Sequence, residues 1–278
     1  MLLSVVGSSA MTIAARYASL EIHSTLVVFW RSALTALAVL LVVIIASPLR
    51  RQLRFSRPWQ HVIRGVLIGV STQMGFYTIA TIPLATTTVL FFTAPIFATL
   101  LSMILHGERV GPRRVLAIAA GFVGALIILR PGPTGVELGL LTGVASSVTF
   151  ALALTMSRGL AQADGALSTY FSAVVFTVLV SVPIVGVDFA LPQLSITWIA
   201  LLALVITGTV RGVADIQAYR HAEAAILAPV TYLRLVLIGG AGYLVFEEVI
   251  DGPTTIGAVI IIGATLYIAR REAQLRKF

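Results

Sequence analysis

The sequence contains no cysteine, so it holds no disulfide framework, no thiolate metal site and no cysteine nucleophile. Charge is also scarce: Asp, Glu, Lys and Arg make up 11% of the residues, against roughly 25% in a soluble domain. That deficit is too large for a surface bathed in water. No G-x-x-x-x-G-K-[ST] loop occurs, which argues against a self-contained ATPase, and neither H-E-x-x-H nor G-x-S-x-G is present. The four histidines, His23, His61, His106 and His221, all stand at the ends of apolar runs. None is placed as a mid-bilayer metal ligand or proton relay, and no metal or cofactor is expected.

What fills the chain instead is apolar sequence. Hydrophobic residues make up 58% of the 278, and the mean hydropathy is +1.02. A membrane-spanning helix needs about 20 such residues. Ten runs have that character: 1–18, 25–46, 61–80, 84–105, 114–129, 139–156, 166–187, 198–218, 224–246 and 255–269. None alternates with the period of two that a barrel strand requires. The connections are short and carry turn residues, among them Ser47-Pro48, Ile82-Pro83, Gly111-Pro112 and Gly252-Pro253. The run from Met1 reads as a short first span rather than a cleavable signal, and it leaves room for a stub upstream. The fold class is therefore all-α and polytopic, with ten transmembrane helices and no room for a sizeable soluble domain.

The formal net charge is +8, and 18 of the 19 basic residues are arginine. They sit mostly in alternate loops: Arg50, Arg51, Arg54 and Arg57, then Arg109, Arg113 and Arg114, then Arg158, then Arg220, and a tail with Arg270, Arg271, Arg276 and Lys277. The opposite loops hold little more than Arg130. The basic balance thus orients the chain in a cell (inner) membrane, with both termini cytoplasmic, and does not point to nucleic acid. Trp30 and Trp198 fall near the outer interface and Trp59 near the inner one, the depths that indole rings prefer.

The chain also repeats itself. One run ends in His106-Gly107-Glu108 before Gly111-Pro112, and another in Phe246-Glu247-Glu248 before Gly252-Pro253. With five spans per unit, the second copy enters the membrane from the opposite side, and such inverted repeats mark many secondary transporters. The units are expected at residues 1–130 and 136–270, followed by a cytoplasmic tail at 271–278.

These residues resemble the EamA-type transporters of the drug/metabolite transporter superfamily. The resemblance rests on Ala85 through Pro95 to Gly107-Glu108 and on Ala218-Tyr219-Arg220-His221-Ala222-Glu223-Ala224-Ala225. It continues through Leu227-Ala228-Pro229-Val230-Thr231-Tyr232 to Val245-Phe246-Glu247-Glu248, and includes Arg31. It implies ten helices, a central cavity lined mainly by spans one, three, four, six, eight and nine, and metabolite transport, often export. One departure stands out: Arg234-Leu235 replaces Ala94-Pro95 of the first unit, a charge in place of a helix-distorting proline.

Charges inside a bilayer are expensive, so Arg31, Arg211, Asp215 and Arg234 lead the candidates. Arg211 and Asp215, four apart, share a helix face. Either they neutralise each other for insertion, or Asp215 carries a proton while Arg211 contacts a solute. Arg234 falls at a depth similar to Arg211, and two cations at one level suit a carboxylate-bearing solute. Its alternatives are bonds to backbone carbonyls or to Asp215. Gln73 and Tyr77, one turn apart, and Tyr232 complete the expected solute contacts. Arg31 is read as structural, its long stem reaching for the headgroups. Glu108 and Glu248 are read as charges at helix N-termini, and Pro95 as a bend in span four.

The expected partners are a small-molecule solute and the lipid bilayer, with protons as the candidate coupling ion. One chain supplies a complete pathway, so a monomer suffices, and a homodimer stays open. An intramembrane enzyme and a non-transporting scaffold are the rival classes; no catalytic residue set supports the first.

Overall fold

The computed structural model describes residues 1–46, 50, 52–106, 111–130, 136–186, 189–193, 195–221 and 230–275. Ten helices occur among them: α1 (Leu2–Ala18), α2 (Ser24–Ile45), α3 (Pro58–Thr81), α4 (Leu84–Phe91), α5 (Ala94–His106), α6 (Pro112–Leu129), α7 (Leu138–Val185), α8 (Ser195–His221), α9 (Leu233–Phe246) and α10 (Gly252–Leu275). No strand is found among the described residues. Six segments are long and apolar enough to cross a membrane, and 115–129, 195–211 and 233–246 are shorter apolar helices. Large apolar side chains such as Leu41, Ile45, Leu116, Ile199 and Leu244 face outward, as a lipid-facing surface demands.

The helix ends follow local chemistry. Pro58 and Pro112 open α3 and α6 in the first turn, where the missing N–H costs nothing. The His23 side chain accepts the Thr25 amide at the start of α2. Two boundaries differ from the sequence expectation. The stretch after residue 156, expected as a loop, stays helical up to Gly165. There φ is +85°, a conformation glycine adopts without a Cβ penalty, and α7 breaks into two arms, 138–164 and 166–185. The expected fourth span is split into α4 and α5, with a turn at Phe92–Thr93. Pro95 explains the split: its ring would clash with the carbonyl of residue 91 in a continuous helix.

Small residues set the packing. A Cβ on Gly65 of α3 would meet Phe176 at 2.5 Å, and one on Gly69 would meet Val180 at 3.1 Å. Higher on α3, Ser71 Oγ donates to the Ser146 carbonyl at 2.8 Å and Ser146 Oγ returns the bond to the Ser71 carbonyl at 2.8 Å. Thus α3 lies against both arms of α7. A Cβ on Gly7 of α1 would stand 3.3 Å from the Thr207 carbonyl oxygen of α8. Gly124 of α6 and Gly257 of α10 face each other, each cradling an isoleucine of the other helix, Ile261 and Ile128. In a bilayer such close approach is the main source of helix association.

The connections cluster at two ends. At one end Trp30 Nε1 donates to the Ala190 carbonyl, Arg130 pairs with Asp251, and the Glu21 carboxylate accepts from Gln193 N and Thr197 Oγ1. At the other, the arginine-bearing segment 52–57 lies against the break in α7.

A Cβ at Gly257 would stand 2.8 Å from the Gly124 carbonyl oxygen, a backbone atom that cannot rotate away, whereas Gly240 has nothing within 4 Å. Gly257→Ala is therefore expected to lower stability by about 1–3 kcal/mol, the usual cost of overpacking, with Gly240→Ala close to neutral. Thermal unfolding of the detergent-solubilised protein, followed by loss of monodisperse material, checks this.

Candidate functional site

Three intramembrane arginines gather around α1 and α3. Arg31, on α2, holds its guanidinium 5.4 Å from the Phe76 ring of α3. Its electrostatic neighbours include Tyr170 of α7 and Arg211 of α8. It turns into the bundle instead of reaching for the headgroups. Arg211 lies where α8 crosses α1, with its Cβ and amide nitrogen 3.5 Å from a Cβ built on Gly7. Arg234 Nη2 of α9 donates to Thr12 Oγ1 of α1 at 3.2 Å, and Thr12 Oγ1 in turn donates to the Ser8 carbonyl. Gly7 and Thr12 are about 7.5 Å apart along the helix. One helix therefore touches both Arg211 and Arg234. The Asp215 side chain and Glu108 lie outside the described residues.

The other expected contacts are dispersed. Gln73 Nε2 donates to Ser181 Oγ of α7 at 2.7 Å, and its Oε1 is buried with no hydrogen-bond partner. Tyr77, one turn on, is half-buried. The Tyr232 hydroxyl bonds to Thr265 of α10, and its ring meets Phe92 edge-on at 4.9 Å. Phe92 stands at the break in span four, and Tyr232 at a turn just before α9. Both stretches are thus discontinuous where they touch, although the second has Leu235 where the first has Pro95.

Glu248 and Arg16 meet at one end of the bundle. Glu248 Oε2 accepts the Leu84 amide at 2.7 Å. That amide opens α4, whose N-cap position is Pro83 with no side-chain cap. A carboxylate there satisfies an orphan donor and suits the helix dipole. The helix Glu248 serves is α4, 164 residues away; α10, which follows it, is capped by Asp251 Oδ1 through the Thr254 amide. Glu248 Oε1 lies 3.3 Å from Arg16 Nη2, and Arg16 Nη1 donates to the Ile79 carbonyl at 2.8 Å. Phe246 sits under the Arg16 guanidinium and beside Tyr17. The αL conformation of Glu247 (φ 55°) turns the chain so that Glu248 N reaches the Gly242 carbonyl. A Cβ at 242 would stand 2.9 Å from Glu248 Oε2 and would displace that carboxylate. Arg16 was visible in the sequence only as a charge at a helix end.

A second buried network joins His61, Asp164 and Ser172. His61 Nε2 lies 3.0 Å from Asp164 Oδ2 and Nδ1 2.8 Å from Ser172 Oγ. Asp164 Oδ1 accepts the Ser56 amide. The trio has the residue types of a nucleophile relay, but all three are buried, and Ser172 Oγ spends its proton on the Thr169 carbonyl. It ties α3 and the 52–57 segment to the break in α7. No sequence signal links residues 103 apart except the glycine at 165.

The cavities among the described residues include two that open outward. One, of about 450 Å³, lies at the Glu248 end and is lined by residues including Thr86, Arg130, Glu137, Asp251 and Thr254. The other, of about 370 Å³, is an apolar groove between α2 and α7. Neither is lined by Arg31, Arg211 or Arg234.

If the Arg16–Glu248 contact seals that end, Glu248→Gln should loosen it. Ala85, 4% exposed and adjacent to Leu84, supplies the reporter, because the cysteine-free chain allows a single thiol. Labelling of Ala85→Cys by a membrane-impermeant maleimide is expected to rise several-fold in the Glu248→Gln background. An unchanged rate means the contact is no seal.

Comparison with known proteins agrees with this architecture. The sequence model of the EamA-like transporter family matches residues 1–130. An S-adenosylmethionine uptake transporter of Rickettsia bellii is 30% identical over 273 residues, which cover 98% of this chain and 93% of that protein. The pseudopaline exporter CntI of Pseudomonas aeruginosa is 31% identical over 280 residues, 98% of this chain and 96% of that protein. A crystal structure at 20% identity superposes over 97% of this chain and 98% of its own with a TM-score of 0.60, a likeness of fold. The ten helices, the lipid-facing apolar surface and these relatives together place the chain in the EamA-like transporter family of the drug/metabolite transporter superfamily.

Proposed function

We propose that this multi-pass membrane protein is a secondary transporter that moves a small carboxylate-bearing metabolite by alternating access. The observation that carries the solute class is the convergence of Arg211 and Arg234 on α1, with Arg31 as electrostatic neighbour. Guanidinium groups turned into a low-dielectric bundle favour an anion. Asp215, one turn from Arg211, is the candidate proton carrier. Gln73, Tyr77 and Tyr232 are candidate polar contacts in an open state, when the halves part.

The reading of two inverted five-span units has support in the packing. Counting α4 with α5 as span four and the arms of α7 as spans six and seven, span one packs on eight, two on seven, three on six, four on nine, and five on ten. Exchanging every span with its partner five places on maps this set onto itself. Two related halves can then rock about a shared site. The Arg16–Glu248 closure seals the outer end in this reading, with both termini cytoplasmic and the arginine-rich connections inside. Relatives named for uptake and for export fit one architecture, since rocking runs either way along a gradient.

Reconstituted vesicles test the proposal. Labelled amino acids and S-adenosylmethionine are the carboxylate probes, and a monovalent organic amine lacking a carboxylate is the control. Arg234→Gln is expected to lower carboxylate flux about tenfold or more, the equivalent of one charge-assisted hydrogen bond. Carboxylate flux unchanged by Arg234→Gln removes the site assignment, and no flux of any probe in the wild type removes the solute class.

A further inference from the structure

The groove between α2 and the second arm of α7 has a feature its solute chemistry does not use. Its walls are Ala33, Ala36, Leu37 and Leu40 on one side and a stripe including Phe171, Val175 and Leu179 on the other. At about 370 Å³ it falls in the range of roughly 300–1,000 Å³ that small-molecule sites occupy, yet it opens to the lipid. The small side chains of Ala33 and Ala36 on α2 leave the hollow.

Its lower mouth is charged. Ser168 stands one turn before Phe171 on the same stripe, since residues three and four apart share a helix face. Ser168 Oγ receives the Arg54 amide at 2.8 Å and donates to the Gln52 carbonyl at 3.2 Å. Two residues on, the Ser56 amide is held by Asp164. The segment is therefore pinned beneath the groove, and the side chains of Arg54 and Arg57 are exposed there. Arg50 follows the end of α2 and is exposed as well. Arg64, by contrast, is engaged by Ser157 Oγ and the Thr169 carbonyl. The Asp164 carboxylate is buried and its oxygens are taken by Ser56 and His61, so it turns no oxygen toward a headgroup at the mouth.

An apolar hollow with exposed arginines on a pinned backbone near one end matches an amphiphile with an acyl chain and an anionic head. We infer that this groove is a binding site for one anionic phospholipid, with its acyl chain between α2 and α7 and its phosphate against Arg50 and Arg54. Basic pockets at helix ends bind such headgroups, while a zwitterionic head gains little. The inference needs only that the chain lies in a bilayer and stands apart from the solute assignment.

Native mass spectrometry of the full chain in detergent tests it, with phosphatidylglycerol and phosphatidylcholine of identical acyl chains as probes. The wild type is expected to retain phosphatidylglycerol about tenfold better. Arg50→Gln combined with Arg54→Gln, both on the surface, is expected to abolish that preference, and Val175→Trp to reduce retention of both lipids by filling the groove. Ala36→Cys reports the rival occupant, a second copy of the chain. Equal retention of the two lipids by the wild type overturns the site, as does a preference that survives the arginine changes. Disulfide-linked dimers through Ala36→Cys in phosphatidylglycerol vesicles also overturn it. If Val175→Trp fails to fold, the wild-type and arginine measurements still decide.

Discussion

Hydrocarbon gives apolar helices no reason to leave lipid for each other, so this bundle depends on how closely its backbones can approach. The glycines at 7, 65, 69, 124 and 257 and the reciprocal Ser71–Ser146 bonds mark the close crossings. Each is a place where a side chain is missing or folds back on a carbonyl. Dispersion and short hydrogen bonds there replace the hydrophobic drive of a soluble core. The same constraint explains why α3 can serve both arms of α7: its glycines line one crossing and its small hydroxyls the other.

Against that tight background the ionisable groups are few, and each is placed with a role. The carboxylate of Glu248 reaches from the end of α9 to the first amide of α4, and Arg16 of α1 binds the same carboxylate and a carbonyl of α3. Four helices from both halves thus meet at one ionised pair. Because its members are only partly exposed, the contact is sensitive to separation in a way that apolar packing is not: a small parting leaves a helix amide, a guanidinium and a carboxylate to be rehydrated. That makes it suited to a closure that is either made or broken. The His61–Asp164–Ser172 tie at the opposite end has another character. It is fully buried, anchors a loop to a glycine break and offers no open face to a substrate.

The discontinuities carry the remaining logic. A helix broken at mid-depth exposes amides and carbonyls that a bilayer tolerates only inside protein. The breaks at Phe92–Thr93 and at Tyr232 lie against each other, ring on ring, so each half shields the other's irregular backbone. Where Arg234-Leu235 takes the place of Ala94-Pro95, a turn at Tyr232 is kept and a cation is gained beside it. The departure from internal symmetry thereby supplies the charge on which the solute reading rests.

Much of this was legible in the amino acids. Scarce charge and long apolar runs determine the solvent, the helical class and the approximate spans, because backbone in lipid must satisfy itself within a helix. Pro95 and the Gly-Pro turns mark local breaks, since proline acts on its own neighbours. Glu248, by contrast, reads in sequence as a charge beside the following helix, and Arg16 and His61 as end residues. Their partners lie from 63 residues away, for Arg16 and Ile79, to 232 residues away, for Arg16 and Glu248. Which orphan amide a carboxylate caps, and which arginines meet α1, depends on how the helices cross. Only the tertiary structure decided that, because a helix's own periodicity fixes its faces but not the neighbour each face meets.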